Sequence, residues 1–471
     1  MNRPPSGGQV DLQEPLDELA RDPKRFDHDL TFPPADRIRV YDDTLRDGEQ
    51  MPGVAINPKD KYELACMLSD IGVHIMDVGF PSVSESERET LRLVLEGRKR
   101  GELRPDLEIV CMMRSTQGDI DATMKVIDAL GYKRDEVTYF IFTSASDLHV
   151  KYKLGKTLLH REGMPESEWL ELPIWFYRAA NLRMMCDAIR YAREQGATSI
   201  EFGGEDGSRA NVDYIAEIHH EGLRAGGTRP STPDTVGCYS PFAVREYIPK
   251  IKAAAPEAPL VVHFHNDLGL GAWNTVMALG SGAEVFTTSV NGIGERTGNA
   301  PMHQVLLQLR YLFGIEIPHF KYEKLRELAR HLERVSGIPV QPTEPGIGLN
   351  VFTHESGIHT AGMLIHPAIY QFIPPGDLGA EIKYVYGKHS GAVVIEHALR
   401  GAGITPDPQL VGKVLEEVKR IREERAEHSD YSDFHKRYYD HLARLGLTAD
   451  EVVEIARAIS THDTIKKAPG A

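Results

Sequence analysis

Pro259-Leu260-Val261-Val262-His263-Phe264-His265-Asn266-Asp267-Leu268-Gly269 sets a short β-branched run directly against two histidines two residues apart. A run of this length bounded by Pro and Gly reads as a strand. Alternate side chains in a strand share a face, so His263 and His265 point the same way and Phe264 the other. Two imidazoles side by side suit a metal ion. Hydrogen bonding at a strand end is the more common explanation of an isolated His-x-His, so the pair takes its meaning from what the other strand ends carry.

The same unit recurs on either side of it. Apolar runs at 38–41, 73–80, 107–112, 137–142, 198–202 and 285–290 alternate with helical periodicity at 58–71, 182–195, 272–280 and 302–312. A weak strand before Pro233-Asp234-Thr235 brings the count to eight βα units. Eight such units predict an α/β protein, a TIM barrel over 38–315, followed by a smaller and mostly helical C-terminal region. The sixth strand is the weak point, because Thr228-Arg229-Pro230-Ser231-Thr232-Pro233 holds two prolines, and a doubly wound open sheet is the competing architecture. Residues 1–37 read as a flexible or draped arm, 151–177 as an insertion or lid, 316–400 as a subdomain and 401–471 as a helical tail.

Composition bounds the class. A chain of 471 residues, 41% hydrophobic, supports more than one structural unit. A net charge of −15 argues against a general nucleic-acid or membrane-surface role. The four cysteines, Cys66, Cys111, Cys186 and Cys238, are scattered and form neither a disulfide framework nor a Cys-x-x-Cys site, which suits a cytoplasmic protein. No spanning helix and no secretory signal is expected.

In a TIM barrel the chemistry sits at the C-terminal strand ends and in the loops that follow. Those positions hold Arg46 and Asp47, Asp77, Ser144 and His149, Glu205 and Asp206, Thr235, His263 and His265, and Glu295, Arg296 and Asn299. Carboxylate, imidazole and amide groups on one rim make a mixed nitrogen and oxygen donor set, compatible with Mg, Mn or Zn and with open positions for a substrate. Any one of these residues alone is explained as a solvated or capping group.

Five separated motifs carry a resemblance. Asp43-Thr44-Leu45-Arg46-Asp47-Gly48-Glu49-Gln50, Gly79-Phe80-Pro81, His263-Phe264-His265-Asn266-Asp267, Asn291-Gly292-Ile293-Gly294-Glu295-Arg296-Thr297-Gly298-Asn299 and Thr353-His354-Glu355-Ser356-Gly357-Ile358-His359 fall in one order. Together they resemble the metal-dependent synthases of the isopropylmalate, homocitrate and citramalate group, relatives of hydroxymethylglutaryl-CoA lyase. The resemblance runs from about 38 to 397. It implies condensation of acetyl-CoA with a 2-oxo acid on a divalent-metal barrel, then thioester hydrolysis, with 2-isopropylmalate-like or homocitrate-like synthesis favoured over citramalate synthesis. It implies Asp47, His263, His265 and Asn299 as the shell of a Mn, Mg or Zn ion. Arg46 becomes the group that polarises the ketone, and Thr235 and Glu205 become pocket residues for the 2-oxo acid. His359 assists removal of the methyl proton, and Asp77 and Ser144 are further substrate contacts. It also implies a homodimer in which the 316–400 subdomain reaches the partner's barrel.

Two departures from the family pattern stand out. Phe140 occupies a place in the fourth strand where many relatives have a histidine, and 158–177 is longer than expected. The helical tail is too short for the α/β regulatory domain that binds leucine in long isopropylmalate synthases, so no amino-acid feedback is expected. The loop Lys151-Tyr152-Lys153-Leu154-Gly155-Lys156 offers cations to the phosphates of CoA, or simply a solvated surface. Two other readings remain at this level: a lyase cleaving a 3-hydroxyacyl-CoA, and a barrel kept as a scaffold.

Overall fold

The computed structural model describes residues 30–427, 431–443 and 446–466. Eight parallel strands close into a barrel in chain order: β1 (Arg39–Asp42), β2 (Ile75–Asp77), β3 (Glu108–Arg114), β4 (Thr138–Ser144), β5 (Ile200–Glu205), β6 (Arg229–Asp234), β7 (Val261–Phe264) and β8 (Val285–Thr288). Closure pairs β1 with β8, Arg39 opposite Val285 and Asp42 opposite Thr288. The outer ring comprises α1 (Pro58–Ile71), α2 (Glu85–Lys99), α3 (Gln117–Ala129), α4 (Gly155–Arg161), α5 (Ile174–Glu194), α6 (Val212–Arg224), α7 (Pro241–Ala253), α8 (Gly271–Leu279) and α9 (Met302–Phe313). The TIM barrel and the helical region after it are both present.

Local chemistry explains where these helices start. Asn57 accepts a hydrogen bond from the Asp60 amide with Pro58 as first helical residue, Ser84 does the same for Glu87, and Thr116 for Asp119. One apolar layer lies between the strands and the helices. A small second one, Tyr41, Ile75, Val110, Val261 and Val285, fills the barrel interior with Phe140 packed on it. Those residues come mostly from the early part of their strands. They plug the N-terminal half and leave the C-terminal half open.

The sixth strand forms despite its prolines. It pairs on both sides, Phe202 opposite Pro230 and Pro233 opposite His263. Each proline removes one ladder donor. Side chains compensate: Thr228 Oγ1 accepts from the Ile200 amide at 2.9 Å, and Arg229 makes 2.8 Å ion pairs with Glu201 of β5 and Glu108 of β3. Gly203 permits the close approach of β5 to β6, since a Cβ there would lie 2.3 Å from the Ser231 carbonyl oxygen.

Residues 1–29 of the expected arm lie outside the described residues. Residues 30–37 run along the N-terminal end of the barrel, where the Thr31 amide donates to the Gly280 carbonyl and the Phe32 ring lies 4.7 Å from that of Phe313. The segment between β4 and α5 is folded. It contains a π-helical turn (His149–Lys153), α4 and a 3-10 turn (Glu166–Glu168), and α5 begins at Ile174 rather than near 182. Lys151 Nζ donates to the Leu170 and Leu172 carbonyls, Trp169 Nε1 donates to the Lys151 carbonyl, and Lys156 pairs with Glu166 at 3.2 Å. Two of the three lysines suggested for CoA are therefore engaged within this segment.

After the barrel come α10 (Leu325–Ser336), a small parallel sheet of β9 (Thr353–His354) and β10 (Lys383–Tyr384), α11 (Gly357–Ile365), α12 (Ala392–Gly401), α13 (Pro408–Glu427), α14 (Tyr431–Ala443) and α15 (Ala449–Lys466). Among the described residues no helix is long and apolar enough to cross a membrane.

Candidate metal centre and active-site mouth

Strand ends deliver the polar groups. Arg46 and Asp47 follow β1, Asp77 closes β2, Glu205 closes β5, Thr235 follows β6, His263 and His265 lie on and just past β7, and Asn299 lies beyond β8, bridged to His265. Of these, Arg46, Asp47, Glu205, Thr235, His263 and His265 line a cavity of about 270 Å³.

Asp47, His263 and His265 are all buried and present one ligand atom each within 4.8 Å of one another. The two rings are 4.8 Å apart and nearly perpendicular. His263 Nδ1 lies 2.6 Å from Thr287 Oγ1 and 3.1 Å from Asp43 Oδ2, while its Nε2 lies 3.6 Å from Asp47 Oδ2. A proton on Nδ1 is thus held by Asp43 and leaves Nε2 as a donor to the centre. Asp47 Oδ1, His265 Nδ1 and Asn299 Oδ1 are buried without a hydrogen-bond partner. Unpartnered buried polar atoms are costly, and their convergence here on one carboxylate, one imidazole and one amide, beside the second imidazole of His263, fits a divalent cation.

The local charges agree. Burial works against ionising Asp47, but Arg46, His263 and His265 more than offset it and hold the carboxyl well below its usual range. Burial and the neighbouring His263 push His265 down to about 3, so it is a neutral ligand at ordinary pH. Burial also lowers His263, yet Asp43 reverses this and the net direction is up. Burial raises Asp77 to about 6 against the pull of Arg46.

Arg46 is fixed from two sides, by Asp77 at 2.8 Å through Nε and by Asp47 at 2.8 Å through Nη1. Glu205 pairs with Lys153, and His149 Nδ1 lies 3.8 Å from it. Thr235 Oγ1 accepts from the Asp206 amide at 2.8 Å. Asp77 is fully buried behind Arg46 rather than on the cavity wall, and Ser144 is buried with its carbonyl accepting from Asn181. His359, on α11, is exposed. Its ring lies 4.3 Å from that of Tyr370, and it is not among the residues lining the cavity.

Three contributors carry weaker sequence signals. Asp43 has only its place beside Asp42 at a strand end. Thr287 is one of several β-branched residues in β8. Lys61 betrays itself by phase, since it shares the buried stripe of α1 with Leu64, Ala65 and Leu68. Its ammonium is fully buried and pairs at 2.5 Å with both Glu49 and Glu87; Glu87 also accepts from the Phe80 amide. This lysine ties the loop after β1 to the loop after β2.

Comparison with known proteins agrees with this geometry. Residues 37–161 and 173–332 match the HMGL-like family model, and residues 347–426 match the model described as homocitrate synthase post-HMGL domain-like. Homocitrate synthase AksA of Methanopyrus kandleri is 37% identical over 84% of this chain and 90% of its own. From Methanocaldococcus jannaschii, 2-isopropylmalate synthase is 35% identical over 82% of this chain and 68% of its own, and (R)-citramalate synthase CimA is 34% identical over 82% and 71%.

Proposed function

We propose that this chain, which belongs to the HMGL-like family, condenses the acetyl group of acetyl-CoA with a 2-oxo acid and hydrolyses the resulting thioester, yielding a 2-alkylmalate-type acid. It is an enzyme of the acyltransferase kind that its synthase relatives represent. The observation that carries the reading is the convergence of Asp47, His263 and His265 beside Arg46 at the open end of the barrel.

A divalent cation held by Asp47, His263, His265 and Asn299 would supply Lewis acidity to the keto oxygen of a chelating 2-oxo acid. Arg46 adds a fixed positive charge where that oxygen becomes an alkoxide, and its two carboxylate partners keep it aimed there. Thr235 offers its hydroxyl to the substrate carboxylate. Glu205, held by Lys153, lines the same pocket and keeps its charge, because burial is outweighed by His149 and Lys153. The methyl group of acetyl-CoA is a weak carbon acid and needs a positioned base. His359 is assigned that help, and because it stands away from its own barrel mouth the assignment calls for a second copy of the chain. Ile358 and Ile365 on the same helix are 76% and 81% exposed, which supports a covering partner.

Thiol release from acetyl-CoA is the test. Purified protein loaded with Mn, Mg or Zn is expected to release CoA thiol only when a 2-oxo acid is added. Absence of release with every acid and every metal refutes the assignment.

A further inference from the structure

The wall of the mouth facing away from the metal residues has its own character. β3 and β4 lie across the barrel from β7, β8 and β1, so a 2-oxo acid anchored through its keto acid end beside Asp47 and His263 projects its remaining chain toward them. That wall is Phe80, Met112, Phe140 and Phe142, with Tyr41 beneath. Each cation that lines the cavity is already held: Arg46 by Asp47 and Asp77, Lys153 by Glu205, and Arg296 by Asp267 through two 2.8 Å contacts. On the β5 side the cavity is lined by two carboxyl groups, Glu201 and Glu205, the second of them already paired with Lys153. Glu201 is 1% exposed and lines the cavity, and its guanidinium partner Arg229 is shared with Glu108.

We infer that the 2-oxo acid accepted here carries an apolar side chain, branched or aromatic, and no second carboxylate. The inference rests on the condensation reading and narrows its substrate. A distal carboxylate would give up water for four apolar side chains and meet Glu201 with no free cation to answer it. Burial pushes Glu201 up to about 7 against the pull of Arg229, so this part of the wall already disfavours negative charge. An apolar chain gains contact with Met112 and the three rings at no such cost. The cavity of about 270 Å³ has room for it.

The experiment compares kcat/KM for thiol release by the metal-loaded full-length protein. Apolar 2-oxo acids (2-oxoisovalerate, 4-methyl-2-oxopentanoate, phenylpyruvate) are set against 2-oxoglutarate and oxaloacetate. The best apolar acid is expected to exceed both dicarboxylates by at least about 100-fold. A dicarboxylate within about tenfold of it, or ahead of it, overturns the inference while leaving condensation intact. No release with any acid overturns the condensation reading and this inference with it. In a second arm, Phe140→Arg places a cation in the wall and is expected to move the ratio at least about tenfold toward 2-oxoglutarate. An unmoved ratio means that the side chain does not lie against β4, which also defeats the inference.

Discussion

The barrel mouth and the segment that bears His359 differ in how complete they are within one chain. At the mouth, β1 and β7 and the loops after them bring Asp47, His263 and His265 within 4.8 Å of one another, with Arg46 fixed between two carboxylates. On α11 the functional candidate is an exposed imidazole resting on Tyr370, flanked by isoleucines that no described residue covers deeply. A closed barrel can assemble a site from its own strand ends, because all eight end on the same rim. A short helical segment has no such convergence and must find a second surface.

The largest expected effect breaks the mouth alone. Asp47→Ala removes one donor from the centre and one anchor of Arg46, and is expected to lower kcat/KM for thiol release by more than about 1,000-fold while the circular dichroism spectrum stays native. A parallel metal titration by calorimetry should show the loss of tight binding. Retention of full activity by this variant would show that the chemistry lies elsewhere.

Next comes the segment. His359→Ala is expected to cost about 100-fold to 10,000-fold in kcat, the range of general acid–base help, with metal binding unchanged. Mixing sharpens the contrast. Co-expressed Asp47→Ala and His359→Ala chains would form dimers in which one mouth meets an intact His359 from its neighbour, restoring about one quarter of wild-type activity if pairing is random. No recovery would mean that His359 serves its own chain or no site at all.

The same division governs what could be read from the sequence. Barrel periodicity gave away seven strands, and the eighth, β6, was visible only by counting, because its two prolines hide a ladder held by Thr228 and Arg229 side chains. Start signals were weaker for α5, whose first two turns, rich in aromatics, merge with the inserted segment. The polar groups that converge at the mouth were legible because they are the residue types a metal centre would draw on at strand ends. Asp43 and Thr287 were not, since a group that orients a ligand needs only to be near it, and nearness between β1 and β8 is a property of closure. His359 was legible as part of a motif, and its place in a subdomain reaching a partner's barrel came from the resemblance alone.

Lys61 offers a smaller perturbation, one that reaches the mouth through its supports. Lys61→Met keeps most of the length of the side chain but leaves Glu49 and Glu87 without their shared cation, and an uncompensated buried charge costs about 3 to 5 kcal/mol. Urea unfolding should register that loss. Activity per folded molecule should also fall, because the loops carrying Asp47 and Phe80 are no longer tied together. A variant with unchanged urea midpoint would show that the two loops hold their positions without the lysine.

The smallest effect concerns polar groups inside the barrel wall that have no part in the mouth. His219 on α6 is fully buried, its Nε2 lies 3.3 Å from the Ser231 carbonyl oxygen, and burial pushes its pKa down to about 4. Between the ordinary value of about 6.5 and 4, the unfolded chain binds a proton that the folded chain refuses, so stability falls as pH drops through this window and is fully present above it. The expected loss on going from pH 7.5 to pH 5 is about 2 kcal/mol from this residue. His219→Gln removes the titration, so its unfolding free energy should fall less over the same interval than that of the wild type. Equal pH slopes for the two proteins would place the acid sensitivity of the barrel in other groups, the half-buried His74 first among them, since its Nδ1 accepts from the Val40 amide and must stay unprotonated to do so.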